Sequence, residues 1–179
     1  ANLAYKRGTG LYGAQAAPEQ AFGEGTARMK VITADADINL PFTIGKQPFA
    51  WDSSLHAQWN KTPLTPQDKI AIGGRHTVRG FDGEMSLSAE RGLYWRNTLS
   101  WQFAKGQQLY VGADAGRVSG PSAEYLLGQT LTGGAVGIRG QIKAGGSWSY
   151  DVSLAKPISR PKYFPTKRQT LAVSLNVSF

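Results

Sequence analysis

The chain of 179 residues contains no cysteine, only 2 methionines and only 2 histidines. Without cysteine, disulfides and thiolate metal sites are excluded. His56 and His76 have no second ligand at coordinating spacing, so no metal or other cofactor is expected. No stretch approaches the ~20 continuous apolar residues that a membrane helix needs. That absence does not exclude a membrane barrel, whose strands are apolar on one face only. Nor does a helical period appear anywhere in the chain. A secretory leader and an initiator Met are both missing, and Ala1 to Tyr5 already reads as the tail of a strand. The chain is therefore expected to be part of a longer protein.

Acidic side chains are the scarcer sign, 12 Asp and Glu against 20 Lys and Arg, for a formal charge of +8. Such a balance raises the question of nucleic acid. The cations form no single run, however; Lys6, Arg7, Arg28, Lys30, Lys61, Lys69, Arg160, Lys162, Lys167 and Arg168 sit singly or in pairs at strand ends and in loops. Strand-end cations near an anionic membrane surface account for them, and no nucleic-acid partner is expected.

What is present is alternation. From Arg168 to the terminus, Leu171, Val173, Leu175, Val177 and Phe179 point one way, and Thr170, Ala172, Ser174, Asn176 and Ser178 the other. A period of two is a strand with one apolar and one polar face. The same pattern recurs over Arg28 to Leu40, Phe49 to Trp59, Leu93 to Phe103, Gln108 to Gly116, Ala135 to Lys143 and Trp148 to Leu154. Asn97 interrupts one apolar face. Tight connections are expected at Pro41 to Lys46, Ala104 to Gly106 and Gly145-Gly146, and long ones at 8–25, 61–90, 117–130 and 157–165. About eight antiparallel strands with short and long links in turn describe an up-and-down transmembrane β-barrel, its Trp and Tyr residues placed as interfacial girdles. A soluble β-sandwich is the competing architecture, but it would not require that alternation of loop lengths.

The longest connection, 61–90, carries Val78-Arg79-Gly80-Phe81 and leads into Glu90-Arg91-Gly92-Leu93-Tyr94-Trp95-Arg96-Asn97. A strand further on lies Gly112-Ala113-Asp114-Ala115-Gly116, with Tyr110, Gly112, Asp114 and Gly116 on one face by parity. These motifs resemble those of the two-partner secretion transporters (TpsB) of Gram-negative outer membranes, which export haemolysins, adhesins and contact-dependent inhibition toxins. The resemblance spans the whole chain. It implies the C-terminal eight strands, nine to sixteen, of a sixteen-stranded barrel, with the POTRA domains, plug helix and first barrel half absent from this chain. It further implies that loop 61–90 folds into the lumen.

Under that resemblance, Val78, Arg79, Gly80 and Phe81 form the loop motif, and Gly112, Asp114 and Gly116 form its partner on the inner wall. Arg79 offers a fork of donors to the two oxygens of Asp114, so a bidentate pair would tie the loop tip to the wall. Arg96, Gln102, Arg139, Gln141 and Lys143 would line the lumen, and Phe179 would serve as the assembly signal. The implied partners are a secreted TpsA-type exoprotein, outer-membrane lipid and lipopolysaccharide, and the barrel-assembly machinery. An eight-stranded barrel would be filled by its own side chains, leaving no room for such a loop. Alternatives from this reading are a barrel-assembly factor of the same superfamily, a small outer-membrane barrel enzyme and a soluble basic module. No catalytic residue is expected: Glu84 and Glu90 lie in a Gly-rich loop without a nucleophile, and Ser86 and Ser88 form no nucleophile elbow.

Overall fold

A computed structural model of the chain describes every residue except 10, 12–14, 24, 144 and 179, with the side chain of residue 19 also outside the description. The elements are β1 (Asn2–Arg7), β2 (Lys30–Ile44), β3 (Gln47–Asn60), β4 (Ile70–Ile72), β5 (Leu87–Ala89), β6 (Arg91–Ala104), β7 (Gln107–Ser119), β8 (Thr130–Lys143), β9 (Ser147–Ser159) and β10 (Thr170–Ser178). Short 3-10 turns occur at Pro18–Phe22, Pro66–Asp68 and Pro121–Tyr125.

Eight strands form one antiparallel sheet in the order β1-β2-β3-β6-β7-β8-β9-β10, each beside its predecessor in the chain save where the small β4–β5 hairpin intervenes. Up-and-down order requires only local connections, which is how barrel walls are built. Strands of 13 to 15 residues are about 45 Å long, comfortably more than the ~9–11 residues that cross a bilayer.

The two faces divide as the alternation requires. Leu55, Leu93, Trp95, Leu99, Val111, Val136, Leu154 and Val173 share the outer face, all between 40 and 61% exposed. An exposed apolar surface of this extent belongs against lipid or a partner. Near the short-turn ends Phe42, Phe49, Trp101 and Phe103 run in a row, with centroid separations of 5.7, 6.4 and 6.0 Å. Asn97 does lie on this outer face, and so does Ser53, directly opposite it in the register. The Trp95 indole donates to Ser53 Oγ at 2.7 Å, so part of this polar interruption is satisfied within the sheet.

The buried core lies on the opposite, inner face. Ile70, Ile72, Val78, Phe81, Leu87 and Ala89 of the 61–90 connection pack against Val118, Ala123, Leu131 and Phe164. This cluster is thus a matter of loop against wall, and among the described residues no second sheet covers the oily side. The competing sandwich architecture fails on that point.

Several boundaries differ from expectation. β2 runs through Pro41 to Ile44, and the turn sits at Gly45-Lys46, where Gly45 has φ 63°. Pro41 was a misleading stop signal: the β2–β3 ladder continues past it, with Pro41 facing Ala50. Likewise β9 continues through Pro157 to Ser159 with a register shift there, β7 extends to Ser119 and β8 begins at Thr130. Within 61–90 no sequence signal announces the paired hairpin, Ile70 to Ile72 against Leu87 to Ala89. These three-residue strands are too short for a period of two to stand out.

Candidate functional site: the loop tip and the inner wall

Hairpin β4–β5 leaves the long-loop end of the sheet and carries residues 73–86 as its tip. The turn is closed by Thr77, whose Oγ accepts from the amides of Gly73 and Gly74, both at 3.2 Å. Val78 is fully buried, and its neighbour Arg79 meets Asp114 in the middle of β7. Asp114 Oδ2 accepts from the Arg79 amide at 2.9 Å and from Nε at 2.7 Å, while Oδ1 accepts from Nη2 at 2.6 Å. Nη2 also donates to the Asn97 carbonyl at 2.9 Å and to Thr98 Oγ at 3.1 Å. The Asp114 side chain has no exposure and that of Arg79 only 12%. A bidentate guanidinium–carboxylate pair with additional donors and acceptors satisfied is the arrangement in which burial of both charges is tolerated.

The wall is shaped to admit the arginine. A β-carbon at Gly112 would lie 2.3 Å from Arg79 Nη2, and one at Gly133 would lie 1.7 Å from the Arg79 carbonyl oxygen. At Gly116 it would meet Val78 Cγ2 at 2.9 Å. Gly80 has φ 99° and backs onto the Lys156 carbonyl, a conformation and a clearance that only glycine offers. Phe81 is 2% exposed and meets Phe164 edge-on at 5.8 Å, which joins the tip to the β9–β10 connection. Asp82 adds a polar tie there, accepting from the Lys167 amide at 2.9 Å and the Glu84 amide at 3.2 Å. Although its slight burial opposes ionisation, those amides and the Lys167 charge hold the Asp82 carboxyl below its ordinary value.

Of the expected lumen residues, Arg96 stands directly across the β6–β7 ladder from Asp114. Its Nη1 donates to the His76 carbonyl at 3.1 Å. Arg139 donates to Gln108 at 2.8 Å and Ser100 at 3.0 Å and approaches Asp52 at 3.6 Å. Gln102 and Gln141 line a cleft with Arg139 at the short-turn end. Lys143 shares their face by register. Asp35, Asp37 and His56 occupy the same face further along the sheet, His56 Nδ1 lying 2.6 Å from Asp35 and its ring stacked on Tyr94. A cleft of about 720 Å³ opens beside the loop tip between Arg75, Arg96, Arg139, Lys167 and Asp151. Phe179 lies outside the described residues.

One cluster went unread in the sequence. Glu90, 6% exposed, accepts from the Ser122 amide at 3.1 Å and from the Ser122 hydroxyl. Lys69 Nζ donates to Ser122 Oγ at 2.6 Å and sits 3.3 Å from Glu90. Burial disfavours the Glu90 carboxylate, but the Ser122 donors and then Lys69 outweigh it and hold its pKa below the ordinary value. The three side chains come from the foot of the hairpin, the start of β6 and the β7–β8 connection, so they pin two loops to the wall. Ser122 already gives its proton to a carboxylate, so the lysine is not placed to activate it. The glutamate at the entry to a long strand was a signal; its distant partners were not.

Comparison with known proteins places this geometry. The family model for the haemolysin secretion/activation protein ShlB/FhaC/HecB matches residues 1–140. The outer membrane transporter CdiB-2 of Burkholderia pseudomallei (strain 1026b) is 39% identical over 99% of this chain and 31% of its own length. The outer membrane transporter CdiB of Dickeya dadantii (strain 3937) is 28% identical over 99% of this chain and 32% of its own. Among solved structures, CdiB from Acinetobacter baumannii superposes with a TM-score of 0.74 at 27% identity, over 85% of this chain and 28% of that one. CdiB from Escherichia coli gives 0.80 at 22% identity, over 99% and 33%, and speaks to the fold. The chain spans about a third of the length of the curated relatives it matches. Its eight strands are part of a transmembrane β-barrel of the outer membrane, their oily face turned to lipid. With two thirds and more of its length covered by the family model, the chain belongs to the haemolysin secretion/activation (ShlB/FhaC/HecB) family of two-partner secretion transporters.

Proposed function

We propose that this chain is the C-terminal half of a sixteen-stranded translocation pore that passes an unfolded partner exoprotein from periplasm to cell surface without ATP. POTRA domains, a plug helix and the first half of the barrel would precede it in the whole protein. Val78, Arg79, Gly80 and Phe81 hold the loop inside the lumen against Gly112, Asp114 and Gly116. Arg96, Gln102, Arg139, Gln141 and Lys143 border the route of the passenger, and Phe179 marks the chain for the barrel-assembly machinery. Lipopolysaccharide surrounds the outer rim. Support for this reading comes above all from the fully buried Asp114 carboxylate, whose loop-borne arginine partner makes the position of the loop an electrostatic choice.

The test is secretion of the cognate exoprotein by the full-length transporter in intact cells. Asp114→Arg is expected to abolish export while the barrel still migrates as a heat-modifiable band. The paired exchange Arg79→Asp with Asp114→Arg is expected to recover part of it. Normal secretion by Asp114→Ala with a folded barrel would overturn the assignment.

A further inference from the structure

Charge is sorted between the two faces of the sheet by a rule that neither transport nor loop docking requires. Among the described strand residues of the eight-stranded sheet, every acid faces inward: Asp35, Asp37, Asp52, Asp114 and Asp151. Five charged strand residues face outward, and all are cations: Arg7, Lys30, Arg91, Arg117 and Lys156. Each stands within four residues of the long-loop end of its strand. Four of the five are exposed and Lys30 is half-buried. Among the described residues none of the five is in an ion pair; Arg91 donates only to the neutral Asn60 amide oxygen at 2.7 Å.

The placement is costly without an anion. Arg7 stands directly opposite Lys30 across the β1–β2 ladder, and like charges so placed destabilise a sheet. Arg91 and Arg117 are diagonal neighbours across β6–β7, Arg91 facing Ser119 and Arg117 facing Leu93. A lone strand-end lysine could extend its ammonium to water, but five unpaired cations on five strands at one level make a belt. It lies above the apolar outer face, at the depth where lipid headgroups begin. At the β1–β2 end the belt deepens into a cleft of about 780 Å³ lined by Arg7, Arg28, Lys30, Thr26, Thr62 and Leu11. Guanidinium and ammonium donors, hydroxyls and an exposed leucine together suit a phosphate carried on an acylated sugar.

We propose that this belt binds the phosphate groups of the outer leaflet's phosphorylated glycolipid, the lipid A headgroup, with the Arg7–Arg28–Lys30 cleft as its most selective point. The proposal rests on the membrane reading, and on the long loops lying at the cell surface. Bidentate arginines recognise phosphate by geometry as well as charge, so the site should prefer a bisphosphorylated headgroup to a single diester phosphate.

The experiment uses the full-length transporter, purified from outer membranes, with the bound lipid A counted per barrel by mass spectrometry. The variant R7Q/K30Q/R91Q/R117Q/K156Q is expected to retain at least fivefold less lipid A than the parent. A control at the short turns, K46Q/K105Q, which removes as many charges as R91Q/R117Q, is expected to retain the parental amount. Should the fivefold variant fail to give a heat-modifiable barrel, R91Q/R117Q is expected to lose about half. Delipidated protein is then titrated with vesicles containing bisphosphoryl lipid A or, at equal charge, phosphatidylglycerol. Preference for lipid A that the variant lacks supports the site; equal response to both, or equal retention by parent and variant, overturns it. Orientation is read separately by labelling Tyr125→Cys with an impermeant maleimide on intact cells. Labelling with unchanged lipid retention discards the belt alone, whereas no labelling discards the orientation, and the belt with it.

Discussion

Arg96 faces Asp114 squarely across the β6–β7 ladder, yet its Nε stops 3.8 Å from the carboxylate that Arg79 holds. That Nε is buried and makes no hydrogen bond. The wall therefore carries a second guanidinium beside a carboxylate already occupied, and this second one is anchored to the loop through the His76 carbonyl.

A double-mutant cycle is the natural test of that relationship. With the loop arginine removed, Arg96 is expected to close on Asp114, so Arg79→Ala should lose secretion yet keep a thermally robust barrel. Arg79→Ala with Arg96→Ala leaves the carboxylate buried and alone, which costs about 3–5 kcal/mol. The coupling between the two positions should reach about 1–3 kcal/mol, read from the temperature at which the folded band disappears on gels. Strict additivity would show that Arg96 does not substitute.

Gly133→Ala probes the same contact through shape. Its β-carbon would overlap the Arg79 carbonyl at 1.7 Å, and the backbone on both sides has nowhere to go. The variant is expected to displace the loop tip and to behave in secretion like Arg79→Ala, with the barrel still assembled. Parental secretion and an unchanged protease pattern in residues 73–86 would refute this.

The Glu90 clamp predicts acid sensitivity of the surface loops. Its carboxyl in the fold is held below the ordinary value of 4.5, so the folded state binds the proton less readily than the unfolded one. Glu90 thus contributes its full stabilisation above about pH 4.5, and the contribution is lost as pH falls through the folded value. Proteolytic nicking of residues 120–129 should rise below pH 4.5 in the parent. Glu90→Gln should be nicked readily even at pH 7, and its pH profile should flatten. A parent and variant with the same profile would remove Glu90 from the clamp.

On the lipid face, Ser53→Ala deprives the Trp95 indole of its acceptor at 2.7 Å. An unsatisfied donor in an apolar setting costs about 1–3 kcal/mol, so the folded band should disappear at a lower temperature. Ser53→Thr, which keeps the hydroxyl, should restore it.

How far the sequence spoke depended on the length scale of each signal. Strands such as β6 were legible because 14 residues give a period of two many chances to repeat. The turn at Gly45 was misplaced because Pro41 is locally a breaker, yet it stands inside the β2–β3 ladder opposite Ala50. The approach of Arg79 to Asp114 could be anticipated by resemblance, but the roles of Gly133, Phe164 and Asn97 could not. They matter through space that the loop fills or a carbonyl that it reaches, and neither has a linear pattern. Ser122, Lys69 and Glu90 are spread over 53 positions, beyond any local rule.

The greasy interior described above is made jointly by a hairpin and the wall beneath it. Were the hairpin to swing outward, Val118, Ala123, Leu131 and Phe164 would be left bare inside a watery duct. Such an excursion is self-limiting unless something oily arrives to replace it, and under the proposed transport role a passing stretch of unfolded polypeptide would itself be a supply of oily side chains. Departure of the gatepost and arrival of its traffic would then be two sides of one exchange.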